Sequence, residues 1–540
     1  MMSVEEGNGL LHAVPQANVE LVENCINNPK PRLPLLLALC LAMGNAADAV
    51  EIMCIGFIMT DMGNISSTNK ELLSSAVFMG MLVGGVICGY LSDIVGRRPC
   101  LLYSLGLNAI AGFISAASPN IEMLIVCRVI GGLGIGGSVP VVFSLGAEVF
   151  PKDRRGQLLS VIASFWMVGA IYTAFFAWIM LGDDYHGNKM MPGVSWHWFA
   201  AVSALPALAA FLLTLYWIPE SPRYLLNEGL VVEAKEVLTY LSTVHVEVED
   251  LEFTDSKLSA GINAPTSPNA YRSPNRSKGV TSPRSGNTIS LGSATSTLSV
   301  LFSGSVRLNT LVLMVIWFTL CFGTYGISTW ISTLFADVGL SNPYSDAFIF
   351  AVANLPGNLV SIFLIEVVGR RSLLAYGMVL AAVSALGFAL DTHDAVVVVL
   401  CASLFNAFSV VGWNSLDCMS VEYFPTPVRT SAMGVLAATG RIGAIAAQFV
   451  NGSLEGNIPL LLFVASGCTV VGGLAAWLLP HDSTGTTLSE SVKDSSERST
   501  VDDSMPDISV DGSGVEGRDE MGGSTTSTLH TRGYSKVSTQ

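Results

Sequence analysis

The chain has 540 residues, of which 51% are hydrophobic and only 13% charged, with a formal net charge of −15. No ordinary soluble domain of this length shows that balance, so the composition excludes a water-soluble enzyme or adaptor and points to a polytopic membrane protein.

Residues 1–32 are polar and acidic and read as a cytosolic tail without a cleaved signal peptide. Within them, Glu6 followed by Leu10 and Leu11 has the form of an acidic dileucine signal for sorting adaptors. Twelve apolar runs follow, each near the roughly 20 residues that cross a bilayer. They lie at 33–60, 72–91, 99–118, 121–145, 157–180, 196–218, 307–336, 345–365, 372–391, 394–417, 428–452 and 458–480. Residues 33–224 and 307–480 each hold six of them and are expected as two six-helix bundles. Between them, 225–306 reads as a largely disordered cytosolic linker, with three Ser-Pro steps at Ser267, Ser273 and Ser282. These steps suit either a phosphorylation-tunable segment or a passive tether. Residues 481–540, with eleven acids against five bases after His481, read as a disordered acidic tail.

Basic residues fix the orientation. Connections after even-numbered spans hold Arg97 and Arg98, Lys152, Arg154 and Arg155, the linker, Arg370 and Arg371, and Arg429. Connections after odd-numbered spans hold only Lys70 and Lys189. Both termini and the linker are therefore expected in the cytosol. Asn64-Ile65-Ser66 is then a glycosylation sequon on the outer side. The ten cysteines are scattered singly and read as small apolar residues, with no metal-ligand spacing.

The charged turns repeat. Gly89-Tyr90-Leu91-Ser92-Asp93-Ile94-Val95-Gly96-Arg97-Arg98 returns 273 residues later as Glu366-Val367-Val368-Gly369-Arg370-Arg371. Glu148 with Arg155 is matched by Glu422 with Arg429, seven residues apart in both pairs. Such duplication is how alternating-access carriers are built. Gly89 suits close helix approach in lipid, and Gly96 suits a positive φ in a tight turn. The arginines suit an acid, or the carbonyl end of a helix in the other half, held in one conformation and released in the other. Their bland reading is a positive-inside anchor.

This pattern resembles the signature loop of the major facilitator superfamily. Pro219-Glu220-Ser221-Pro222-Arg223-Tyr224 resembles the hallmark that closes the sixth span in its sugar-porter and organic-ion branches. Trp196-His197-Trp198, Arg441-Ile442-Gly443-Ala444 and Ala47-Asp48-Ala49-Val50-Glu51 resemble the synaptic-vesicle-protein-related subgroup. Two departures stand out: Ile362 replaces Gly89 in the second turn, and the outer connection between spans seven and eight is short. The resemblance implies an all-α fold of twelve transmembrane helices, and gating roles for Gly89, Asp93, Gly96, Arg97, Arg98, Glu148, Arg155, Glu220, Arg223, Glu366, Gly369, Arg370, Arg371, Glu422 and Arg429.

Ionisable residues inside the bilayer are expensive and are functional candidates by default. Asp48 lies about 22 Å above the cytosolic face and Arg128 about 20 Å, at 1.5 Å per residue. An Asp48–Arg128 pair is therefore expected, with Glu51 on nearly the same helix face as Asp48. One reading makes the three the proton-coupling set; the other makes the pair a fixed structural bridge. Arg441, near the midplane, suits a substrate carboxylate or phosphate, or else pairing with Asp417. Trp317, Tyr325, Trp413 and Asn414 suit the wall of a central cavity, whereas Trp330 reads as an interfacial or packing aromatic. Gly132-Leu133-Gly134-Ile135-Gly136-Gly137 fits a dinucleotide motif in letters only; inside a span it is a helix-packing stripe.

The sequence thus reads as a secondary transporter of a small organic solute, monomeric, embedded in a plasma, endosomal or vesicular membrane. It needs no cofactor beyond a proton gradient and no nucleic-acid partner. A facilitative uniporter, or a transporter-like receptor or trafficking protein, remains the alternative. A membrane enzyme would need a His, Asp or Glu cluster at one face, which the sequence lacks.

Overall fold

A computed structural model of the chain describes residues 16–63, 65–183, 189–244, 301–303, 306–365, 367–424 and 426–479. All regular elements among them are helices. A short helix α1 (Gln16–Asn27) precedes α2 (Leu33–Met62), α3 (Ser67–Val95), α4 (Arg97–Ala116), α5 (Ile121–Val149), α6 (Arg155–Leu181) and α7 (Trp196–Trp217). Two short helices follow, α8 (Pro222–Asn227) and α9 (Val231–Leu241). The second half runs through α10 (Val306–Val338), α11 (Pro343–Val352), α12 (Asn354–Leu364), α13 (Arg370–Leu390), α14 (Ala395–Glu422), α15 (Thr426–Leu454) and α16 (Ile458–Ala476). Twelve of the helical stretches are long and apolar enough to cross a membrane, with α11 and α12 forming one span between them. The chain is a multi-pass membrane protein. Asn64, Glu366, the Glu6-Leu10-Leu11 signal, the Ser-Pro steps and the acidic tail lie outside the described residues.

Helix starts differ between the two faces. Outer-side starts use short polar caps that satisfy orphan N–H groups. The Asn120 side chain accepts from the Met123 amide at 3.0 Å, that of Asp394 from Val396 at 2.8 Å, and that of Asn457 from Leu460 at 3.1 Å. The cytosolic starts of α4 and α13 have no such cap; each follows a glycine of positive φ, Gly96 at 106° and Gly369 at 89°. The eighth span breaks between Val352 and Asn354 because Pro356 offers no N–H to the Val352 carbonyl.

Close packing in the first half rests on the glycine stripe. Gly80 and Gly84 of α3 abut the Val129 and Leu133 carbonyls of α5, and Gly132 and Gly136 abut those of Val77 and Met81, leaving no room for a Cβ. This is the small-residue contact that substitutes for hydrophobic driving force in lipid. Gly89 is different: open space surrounds its Cα. The expected helix approach at Gly89 is absent, and the stripe nearer the bilayer centre carries it.

The halves meet at their outer ends. Lys70 pairs with Glu455, to which Ser67 Oγ also donates at 3.1 Å. Thr60 Oγ1 donates to Ser332 Oγ at 3.0 Å, and Asn342 Nδ2 donates to the Asp183 carbonyl at 2.7 Å. Phe57 stacks on Tyr344, and Trp178 on Phe348. At the cytosolic ends the described ion pairs stay within one half: Arg97–Glu148, Lys152–Glu23 and Arg370–Glu422. Among the described residues the seam between the halves is therefore closed at the end away from the Gly-Arg-Arg turns.

Candidate substrate and coupling site

Asp48 and Glu51 sit one helical turn apart on α2, 0% and 3% exposed. Their partners come from α5. Arg128, 1% exposed, donates through Nη1 to Glu51 and through Nη2 to Ser115 Oγ at 2.5 Å. Gly131 and Gly112 form the slot that holds the Glu51 carboxylate. Asp48 instead accepts from Ser138 Oγ at 2.8 and 3.0 Å. The expected Asp48–Arg128 pair is therefore replaced by Glu51–Arg128.

Geometry explains the exchange. Helical side chains lean toward the helix N-terminus. The N-terminus of α5 is on the outer side, so Arg128 leans outward and reaches the acid that lies further out. Three residues of rise, about 4.5 Å, separate Glu51 from Asp48. Ser138, ten residues deeper along α5, is then the group level with Asp48. Asn108 of α4, 2% exposed, lies beside it with its side-chain amide toward the carboxylate.

The second half contributes Arg441, whose guanidinium stands over the Tyr325 ring, 5.6 Å from its centroid. Its charge also reaches Asp48 across the interface between halves. Arg441 is not ion-paired to Asp417 among the described contacts. The charge of Asp417 is instead felt at Cys321 and Tyr325. Tyr325 is a hub between the halves: Phe78 and Trp166 of the first half lie 5.1 and 6.4 Å away, and Trp413 of the second lies at 5.9 Å. Trp413 meets Trp317 edge-on at 5.6 Å, while Trp317 Nε1 donates to Ser420 Oγ at 2.8 Å. Asn414 bonds Asn358 of the same half at 2.7 Å. Trp330 is fully buried and donates to Gln448 at 2.8 Å, so it packs rather than anchoring at an interface. Trp166, Ser138 and Asn108 were not singled out in the sequence, where nothing but their partners' positions distinguishes them.

The gate residues gather at the cytosolic rim. Glu220 closes the first turn: Oε1 accepts from the Arg97 and Arg98 amides at 3.0 and 3.2 Å, supplying the N-terminal cap that α4 lacks. It crowds Gly96 so closely that no Cβ fits there. Burial pushes the Glu220 carboxyl above its ordinary value of 4.5, partly offset by the amides of Ser221, Arg98 and Arg97. Arg97 lies 3.2 Å from Asp93, 3.5 Å from Glu148 and over the Tyr224 ring. Arg98 donates to the Ile218 and Leu215 carbonyls at 2.7 and 2.8 Å, the carbonyl end of α7 in its own half rather than the other. In the second half, Arg370 lies 3.0 Å from Glu422 and Arg371 donates to the Trp477 carbonyl. Arg155 donates to the Phe150 carbonyl at 3.4 Å, Arg429 to those of Val421 and Phe424 at 3.0 and 3.2 Å, and Arg223 to Glu23 at 3.4 Å.

The chain is similar to known proteins over most of its length. The family described as "Sugar (and other) transporter" matches residues 42–492. Mouse synaptic vesicle glycoprotein 2C is 28% identical, the match covering 84% of this chain and 79% of the relative. The organic cation/carnitine transporter 7 of Arabidopsis thaliana is 29% identical, covering 84% and 93%. In fold, the chain is similar to the partially occluded inward-open xylose transporter XylE of E. coli, with a TM-score of 0.63, 19% identity, and coverage of 84% and 99%.

Proposed function

The chain belongs to the sugar (and other) transporter family of the major facilitator fold, and from that premise we propose that it is a proton-coupled carrier of a small organic solute. Alternating access is the family's mode of transport, and the closed outer seam with an inward-facing bundle is one of its states. The observation that carries the coupling assignment is the division of charge around Asp48. Arg128 is taken by Glu51, so both members of that pair travel together in the first half. Asp48 keeps only neutral partners of its own half, the Ser138 hydroxyl and the Asn108 amide, and the cation that reaches it, Arg441, belongs to the other half.

Rocking one half against the other changes the Asp48–Arg441 separation and leaves Glu51–Arg128 intact. A carboxylate that faces a cation in one state and a hydroxyl in the other binds protons with different affinity in the two. That difference couples proton movement to conformation. Asp48 is accordingly the proton carrier, and Glu51–Arg128 a fixed bridge beside it. Arg441, with its forked donors, holds an anionic or hydroxyl-rich group of the solute, and the rings of Tyr325, Trp166 and Trp413 hold its apolar part.

The test is transport in proteoliposomes under an imposed pH gradient, with the solute chosen by thermal-shift screening of sugars, organic cations and aromatic acids. Asp48→Asn is expected to abolish accumulation against a gradient while leaving exchange. Full pH dependence in that variant would sink the coupling role, and unchanged affinity in Arg441→Ala would sink the binding role. A facilitative uniporter would show no accumulation in the wild type. Residence in a plasma or a vesicular membrane, and a monomeric state, complete the proposal.

A further inference from the structure

The segment before the first span is not a free tail. Val22, Cys25 and Ile26 of α1 are buried against Leu238 of α9. Glu23 Oε2 accepts from Lys152 Nζ at 2.6 Å, and its Oε1 from Arg223 Nη2 at 3.4 Å. Asn27 Oδ1 accepts from the Lys152 amide at 3.0 Å. The chain then runs antiparallel to the end of α9: the Lys30 amide donates to the Leu241 carbonyl and the Thr243 amide to the Asn28 carbonyl, both at 3.0 Å, and Lys30 Nζ donates to the Thr239 carbonyl at 2.8 Å. One turn, at residues 31 and 32, then leads into α2.

These contacts join three connections that the chain makes far apart: the entry to span one, the loop between spans four and five, and the exit from span six. Lys152 and Arg223 are cations on the same rim, with the Arg155 charge also reaching Glu23. Left alone they repel. Glu23 lies between them and converts that repulsion into two attractions.

We propose that residues 16–30 form a strap that makes the cytosolic rim of the first half one rigid body, with Glu23 as the positioning residue for Lys152 and Arg223. Each exposed pair is weak by itself. The buried apolar face of α1 holds the carboxylate in place, so both pairs form without ordering a free side chain each time. Rocking of the half then carries the span four–five loop and the span six exit together, whatever the solute and whatever the coupling ion.

Hydrogen exchange on the full-length protein in lipid nanodiscs tests this without a known substrate. Glu23→Lys is expected to speed exchange about fivefold in 16–27, 152–158 and 222–241 together, and to leave α13 and α14 unchanged. Glu23→Lys with Lys152→Glu is expected to restore protection in 16–27 and 152–158 but not in 222–241, where the new cation still faces Arg223; a packing role for the side chain would restore none of them. Should Glu23→Lys not fold, Glu23→Gln gives the same pattern at smaller amplitude. The proposal is overturned if 16–27 alone loosens, if none of the three segments changes, or if the charge swap fails to restore 16–27 and 152–158.

Discussion

The turn between spans two and three is fastened in the first half by Arg98 on the carbonyl end of α7, by Arg97 between Asp93 and Glu148, and by Glu220 on the first amides of α4. In the second half, Arg371 on the Trp477 carbonyl repeats the first fastening and Arg370–Glu422 the second. The third is not repeated in sequence: Pro219 is followed by Glu220, whereas Pro480 is followed by His481. Deeper in the bilayer, the first half neutralises its arginine with Glu51, while the second presents Arg441 over a ring. The first half is built to hold its charges, and the second to offer them. Duplication supplies a scaffold twice, and only the departures from symmetry tell the copies apart.

The largest expected effect breaks that contrast at its deepest point. Arg128→Met leaves Glu51 buried and unpaired, and should cost about 3–5 kcal/mol in thermal or denaturant unfolding. Arg441→Met, losing chiefly a cation–π contact, should cost at most about 2 kcal/mol; equal losses would end the distinction. Next is Gly96→Ala, which meets both a positive φ and the Glu220 carboxylate and should cost about 3 kcal/mol. Gly369→Ala meets the φ alone, so its cost should be nearer 1 kcal/mol. Breaking the outer seam comes third. Lys70→Met should raise the outward-facing population about fivefold, read as faster maleimide labelling of Ser332→Cys. Unchanged labelling would mean that the seam holds without this ion pair.

Two rim carboxylates give the smallest effects, with opposite signs. Glu220 is raised by burial, so the folded state binds its proton more tightly, and its contribution to stability declines as pH rises from 4.5 through the raised value. Glu220→Gln should remove that slope and cost about 1 kcal/mol as a weakened cap. Glu23 is lowered from 4.5, first by its hydrogen bond to Lys152 and further by the charges of Lys152, Arg223 and Arg155. Its contribution is present above 4.5 and is lost as pH falls below that value. Unfolding followed across pH 3–7, about the range in which free carboxylates titrate, separates the two; parallel slopes would refute the assignment.

Much of the fold was legible because its determinants are local. Apolar runs, bounded by Gly-Arg-Arg turns, gave all twelve spans. The positive φ at Gly96 followed from the turn itself. Pairing inside the membrane was less legible. Depth arithmetic put Asp48 level with Arg128, but an arginine side chain outreaches the one turn that separates Asp48 from Glu51, and only the outward lean of α5 decides between them. Glu220 read as a gate acid, and its contact with the first amides of α4 was not legible. The strap escaped because α1 buries only three or four apolar side chains in a polar segment, and α9 sits within a stretch whose composition reads as linker. Both gain their order from tertiary contact rather than from their own sequence.

The Arg98 fastening bears on how the protein is made. Its acceptors, the Leu215 and Ile218 carbonyls, lie 117 and 120 residues downstream. A nascent first half therefore carries an open cationic turn through the synthesis of four more spans, and secures it only when span six has entered the bilayer. Lys152 and Arg223, by contrast, find Glu23 already waiting from the earliest part of the chain. Biogenesis of this half begins and ends at the same cytosolic rim, and a ribosome stalled before residue 220 would leave a bundle with all its early helices and no lock.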